Sequence, residues 1–124
     1  MTVGTINLEI FKCVSSEITT DEVIITDRQL SHIMEKHSQD YELYSEHIPE
    51  ILRHPDYILE ANKPKSAVLL KEIVSNNEKI QLVLRFKTSA DPINYKNSII
   101  TFMKIREKEW FRLLNNKKIL YSAT

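Results

Sequence analysis

The chain has 124 residues, the size of one domain, and 42% of them are apolar, enough for one core. Seventeen Lys and Arg balance seventeen Asp and Glu, so the global basic surplus of a dedicated nucleic-acid binder is absent, while a local cationic patch stays open. A single cysteine, Cys13, excludes an intramolecular disulfide and a cysteine-rich metal site, and a single glycine, Gly4, excludes the Gly-rich phosphate loops of nucleotide-binding folds.

Cys13 reads as a small buried hydrophobe. No charged region followed by an apolar core opens the chain, and no apolar run approaches ~20 residues. The expectation is a cytoplasmic protein without a membrane segment, folded as one domain over residues 1–124. Thr5–Lys12 alternates, with Ile6, Leu8 and Ile10 on one side, and is expected to be a half-buried strand. Glu22–Thr26 is a second short strand that can pair with it. Thr26-Asp-Arg-Gln29 fits a capping box, and Leu30, Ile33, Met34 and His37 continue with helical spacing. That predicts a helix over Asp27–His37 and a second one from Gln39, capped by Ser38. Pro49 should kink or restart this second helix near His47. His54-Pro55-Asp56 ends the helical region.

Four strands follow: Tyr57–Glu60, Ser66–Val74, Lys79–Lys87 and Asn97–Ile105. They are rich in β-branched and aromatic residues and bounded by polar turn residues, with Asn76-Asn77 as a hairpin connection. Arg106–Lys117 carries Trp110, Leu113 and Leu114 at helical spacing, and Ile119–Tyr121 is apolar again. Helices grouped before strands argue for α+β: two N-terminal helices on one face of a four- to five-stranded antiparallel sheet, with an N-terminal hairpin and a C-terminal helix.

Strand parity locates the chemistry. In Lys79–Lys87, Ile80, Leu82, Leu84 and Phe86 share one face, and Gln81, Val83, Arg85 and Lys87 the other. With Val68, Leu70 and Val74 taken as inward, Lys71 joins Arg85 on the open face. In the last strand either Ser98 or Thr101 reaches that face, not both in a regular strand. A Lys, an Arg and a hydroxyl on one concave face suit an anion, and Arg can bind a phosphate bidentately. The plainer reading is a wet sheet face, with Lys71 and Arg85 solvated or paired with Glu60 or Glu72. His32 and His37 are five positions apart, more than about 100° round a helix, so they are not a metal pair. His37 continues the apolar stripe and reads either as a packing residue or as a general acid or base. His47 and His54 read as exposed helix and turn residues, and Tyr41, Tyr44 and Tyr57 as core or rim packing before base stacking.

In order, Ile25-Thr-Asp, His32-Ile, His37, Ile48-Pro-Glu-Ile-Leu52, Pro55-Asp-Tyr-Ile58, a strand containing Lys71, and Asn97-Ser-Ile-Ile-Thr101 before a final helix resemble the phage- and mobile-element-associated barnase–EndoU–colicin–RelE-like nucleases. The resemblance spans Val23–Tyr121 and leaves Thr5–Cys13 outside. It implies helices against an antiparallel sheet, with the active site on the sheet's open face. It also implies endonucleolytic cleavage of RNA without metal or cofactor, by attack of the 2′-hydroxyl on the adjacent phosphate. On that basis His37 is the lead acid or base and His32 its partner. Lys71 and Arg85 stabilise the pentacovalent phosphate, and Ser98 or Thr101 hydrogen-bonds one of its oxygens. A glutamate base like barnase's has only Glu60 and Glu72 as candidates. The expected partners are RNA and, for a toxin or mobile-element effector, a neutralising protein. The alternative is a non-catalytic module with the same fold that binds RNA or protein. Convergence of His37, Lys71 and Arg85 on one phosphate favours the enzyme.

Overall fold

Four consecutive strands form the middle of the sheet in the computed structural model, which describes residues 1–124. These are β3 (Tyr57–Glu60), β4 (Ser66–Ile73), β5 (Glu78–Arg85) and β6 (Asn97–Ile105), each antiparallel to the next. The flanks extend this meander. β2 (Glu22–Ile24) lies parallel to β6, β1 (Thr2–Thr5) is antiparallel to β2, and β7 (Ile119–Ser122) is antiparallel to β3. The fold is α+β as expected. Its sheet is larger than expected and mixed, seven strands in the order β1-β2-β6-β5-β4-β3-β7. The parallel β2–β6 pair is a contact between segments more than seventy residues apart, and no local pattern in a three-residue strand announces it.

The strand expected over Thr5–Lys12 is corrected. Pairing ends at Thr5, and Leu8–Phe11 is a short helix, α1, whose N-cap Asn7 accepts a hydrogen bond from the Glu9 N–H at 3.0 Å. An Asn side chain that satisfies a free helical N–H outweighs a brief alternation of apolar residues. Ile6 and Phe11 are fully buried, so the segment still feeds the core. Gly4 carries β1 close to the following helical layer: a Cβ there would stand 3.1 Å from Leu52 Cδ1.

The Thr26 cap forms as read, its Oγ1 accepting from the Gln29 N–H at 3.1 Å. The helix it starts, α2, runs Asp27–Tyr44 and is broken at His37, whose φ of −139° and ψ of 37° leave the helical basin. The break expected between His37 and Gln39 is therefore present as a kink between two helical stretches. A single 3₁₀ turn at Ser45–His47 leads into α3 (Ile48–Arg53), with Pro49 in its first turn. A missing N–H does no harm there, since first-turn N–H groups have no helical partner.

The sheet is covered on both sides. Phe11, Ile33, Tyr44, Ile48, Ile51 and Leu52 from α1–α3 pack on Ala67, Leu69, Ile80, Leu82, Leu84, Ile99 and Phe102. Tyr41 adds an edge-on contact with Phe102, ring centroids 5.9 Å apart. On the opposite face α4 (Glu107–Asn116) places Trp110 and Leu113 on Leu59, Val68, Leu70 and Ile105. Tyr57 meets Trp110 edge-on, and Tyr44 is buried, so the three tyrosines are packing residues.

Candidate active site

α4 covers only part of its side of the sheet. Gln81, Val83 and Arg85 of β5 and Ile100 of β6 line a hollow there, with Gln29 of α2 and Lys117 just past α4. β6 solves its ambiguous parity with a bulge. Thr101 pairs with Val83 while Ile99 pairs with Leu84, so Ile100 has no partner of its own. The extra residue resets the alternation. Ile99 and Phe102 both enter the core, and Ser98 and Thr101 both take the open face, opposite Arg85 and Val83. The expectation that only one hydroxyl could reach that face is thus corrected by an irregular strand.

β2 stops pairing with β6 at Ser98, and α2 lies along the rest of that edge. Asp40 Oδ2 accepts from the Lys104 N–H at 3.1 Å, which closes the far end of the strand. Toward its N-terminus the helix and strand leave a groove of about 510 Å³, lined by Arg28, Gln29, Ser31, His32, Glu35, Ile100 and Thr101. Arg28, His32 and Glu35 fall within about 60° of one another around the helix and rise by about 6 and 4.5 Å. A guanidinium, an imidazole, a carboxylate and a threonine hydroxyl therefore share one open groove, with all three α2 side chains exposed. Neither Arg28 nor Glu35 was singled out from sequence. Their signal was present: Arg28-x₃-His32-x₂-Glu35 is a stripe at i, i+4 and i+7, on the side of α2 away from Ile33.

Next to the groove lies a hollow of about 500 Å³ on the open sheet face, and Gln29 and Ile100 line both. Lys63, Lys117 and Arg85 line this hollow, and no carboxylate does.

The three residues expected to converge on one phosphate do not. Lys71 stands opposite Ile80, on the face covered by α1–α3. Its Nζ donates to the His54 carbonyl at 2.8 Å and lies 3.5 Å from Asp56 Oδ1. It is also five residues along β4 from Ser66, the partner of Arg85, which is about 17 Å of strand. The reason for the misplacement is that β4 is buried on both faces, so alternation of apolar residues could not choose between them. Arg85 does face the open side. Its guanidinium is engaged by Asp91, with both Nη atoms 2.9 Å from carboxylate oxygens, and it also donates to the Phe86 carbonyl at 2.7 Å. That bidentate bond raises the Arg85 pKa and holds the Asp91 carboxyl far below the usual carboxylate range, with the Thr88 N–H and Lys65 assisting. Arg85 thus anchors the β5–β6 loop at the rim of the hollow. His37 sits at the α2 kink, its Nδ1 4.0 Å from Asp40 Oδ2, and does not line the groove. Of the six candidates, His32 and Thr101 share the groove, and Ser98 and Arg85 lie on the adjoining face. Of the candidate bases, Glu60 is exposed at the end of β3, and Glu72 is paired with Lys79 at 3.3 Å.

No three His, Cys, Asp or Glu side chains gather in an arrangement that could hold a metal ion. No helix is long and apolar enough to cross a membrane.

A family model described as phage-Barnase-EndoU-ColicinE5/D-RelE like nuclease 2 matches residues 3–122. The match includes the segment Thr5–Cys13, which lies outside the motif resemblance. Comparison with curated proteins and with solved structures returned no match.

Proposed function

The chain belongs to that nuclease family, and from this premise we propose that it is an endoribonuclease that works without metal at the groove between α2 and β6. The observation that carries the reading is the grouping of Arg28, His32, Glu35 and Thr101 around one cavity. Cleavage at an RNA phosphate by the 2′-hydroxyl needs a base for the attacking oxygen, an acid for the departing one, and donors for the phosphoryl oxygens. In this reading Glu35 takes the 2′-hydroxyl proton. The 2′-oxygen bonds to phosphorus, the bond to the 5′-oxygen breaks, and His32 as imidazolium protonates that oxygen. Arg28 and the Thr101 hydroxyl donate to the two non-bridging oxygens. The products are a 2′,3′-cyclic phosphate and a free 5′-hydroxyl. The cationic hollow beside the groove suits the phosphates of the flanking nucleotides.

One observation favours a second reading, a non-catalytic module that binds RNA or a protein partner. Lys71 and Arg85 are both committed to carboxylates and to structure. The phage association in the family description fits an effector that acts on host RNA and meets a neutralising partner. The deciding test is cleavage of a fluorogenic RNA in excess EDTA by wild type, His32→Ala, Glu35→Gln and Arg28→Ala. A catalytic groove predicts losses of about 10²–10⁴ in kcat for the His32 and Glu35 variants. Wild-type cleavage equal to that of the double variant His32→Ala/Glu35→Gln selects the binding module.

A further inference from the structure

We infer that the hollow on the open sheet face reads a nucleobase, with Gln81 accepting a hydrogen bond from the amino group of an unpaired RNA base. The inference rests on the nucleic-acid reading of the groove beside it. Gln81 lies mid-strand in β5, between Leu70 and Met103 on the same face. Its Oε1 is out of contact with solvent, and no protein group donates to it, the one such side-chain atom in the chain. Buried acceptors are nearly always paired, because an unpaired one loses its hydration with no return. Gln81 itself lines the hollow, so a turn of its terminal amide brings this oxygen to a ligand N–H there and restores the missing bond.

The surroundings fit a base more closely than a bare anion. Val68, Val83 and Ile100 provide apolar surface for a ring face, while Lys63 and Lys117 stand where a backbone phosphate would be neutralised. A volume of about 500 Å³ admits a purine. Ile100 and Gln29 line both this hollow and the groove, so a base held here belongs to a nucleotide next to the one whose phosphate occupies the groove. Amino groups on the Watson–Crick edge are engaged in duplexes, so the substrate is single-stranded at this position.

The test reads binding, independently of cleavage. Fluorescence anisotropy is measured with 2′-fluoro RNA heptamers, which keep an RNA-like sugar and lack the nucleophile. The heptamers differ at one position by an amino group alone: adenine against purine, guanine against hypoxanthine, cytosine against 2-pyrimidinone. Wild type should bind the amino-bearing member of at least one pair about tenfold more tightly. Gln81→Leu should bring that ratio to about one and leave affinity for the amino-less member unchanged. Should Gln81→Leu fail to fold, the three pairs measured on wild type and on Gln81→Met carry the same decision. Equal affinities within every pair, a ratio that survives in the variants, or no binding to any heptamer would overturn the assignment. Preference for the amino-less member overturns it too. Ordinary RNA cleavage, run in parallel, reports on the catalytic groove alone, so the two readings fail separately.

Discussion

Asn97 is the residue on which the position of β6 depends most, and its replacement gives the sharpest stability prediction. It is fully buried at the start of the strand. Its Oδ1 accepts from the Lys87 N–H at 2.7 Å, and its Nδ2 donates to the Thr20 carbonyl at 2.7 Å. One amide thus ties the end of β5 and the approach to β2 to the first residue of β6, at the site of the parallel pairing. Asn97→Ala leaves a buried N–H and a partly buried carbonyl without partners. Each is expected to cost about 1–3 kcal/mol, so the pair costs about 2–6 kcal/mol. Unfolding entropy near 2.1 cal/mol/K per residue gives about 0.26 kcal/mol/K for 124 residues. A loss of 3–4 kcal/mol then lowers Tm by about 12–15 °C. Asn97→Asp keeps an acceptor for Lys87 but sets a carboxylate oxygen against the Thr20 carbonyl, and should lose at least as much at neutral pH. Thermal melts followed by far-UV circular dichroism measure both. A Tm for Asn97→Ala within about 2 °C of wild type would refute the reasoning, because two buried groups cannot be stranded at that little cost.

Asp91→Asn should loosen the β5–β6 loop and lower Tm, with a pH dependence of known sign. Folding holds the Asp91 carboxyl below its usual range. Its contribution is therefore complete above the ordinary aspartate value and fades as the pH falls toward the lower folded-state value. The Tm gap between variant and wild type should stay constant from about pH 5 to 8 and narrow below about pH 4, as melts across that range would register. Lys71→Ala and His37→Ala lie off the groove and should keep kcat/KM on RNA within about threefold of wild type, since neither side chain meets the transition state. Thr101→Val preserves shape and removes one donor to the phosphoryl group. Steady-state kinetics should show a loss in kcat of roughly 10–100-fold at nearly unchanged Tm.

The sequence carried the elements further than it carried the site. The four meander strands, the Thr26 cap, the break near His37, the restart at Pro49 and the final helix each have a local cause, in periodicity, capping or proline chemistry. The β2–β6 pairing has none. The Ile100 bulge is a property of two strands in register, and it alone puts Ser98 and Thr101 on one face. Strand parity puts Lys71 on the wrong face because β4 has apolar residues on both sides. The family resemblance makes His37 the lead over His32, yet His37 continues the apolar stripe, and that is the side of a helix that faces the core. A groove at a sheet edge is lined instead from the polar side, where Arg28, His32 and Glu35 recur at helical spacing. Strand parity does place Arg85 on the open side. Its partner Asp91 lies six residues on, in a loop whose return path no strand pattern predicts.

The central claim is transesterification by the 2′-hydroxyl at the α2–β6 groove, and end-group analysis of a cleaved oligonucleotide tests it most directly. A ribo-oligonucleotide with one preferred cleavage position is compared with the same strand carrying a single 2′-deoxynucleotide there, both in excess EDTA. The account predicts a 2′,3′-cyclic phosphate and a 5′-hydroxyl from the first strand, no cut at that position in the second, and loss of the products in Glu35→Gln. Equal cleavage of the deoxy-substituted strand, or a 5′-phosphate product, would contradict it.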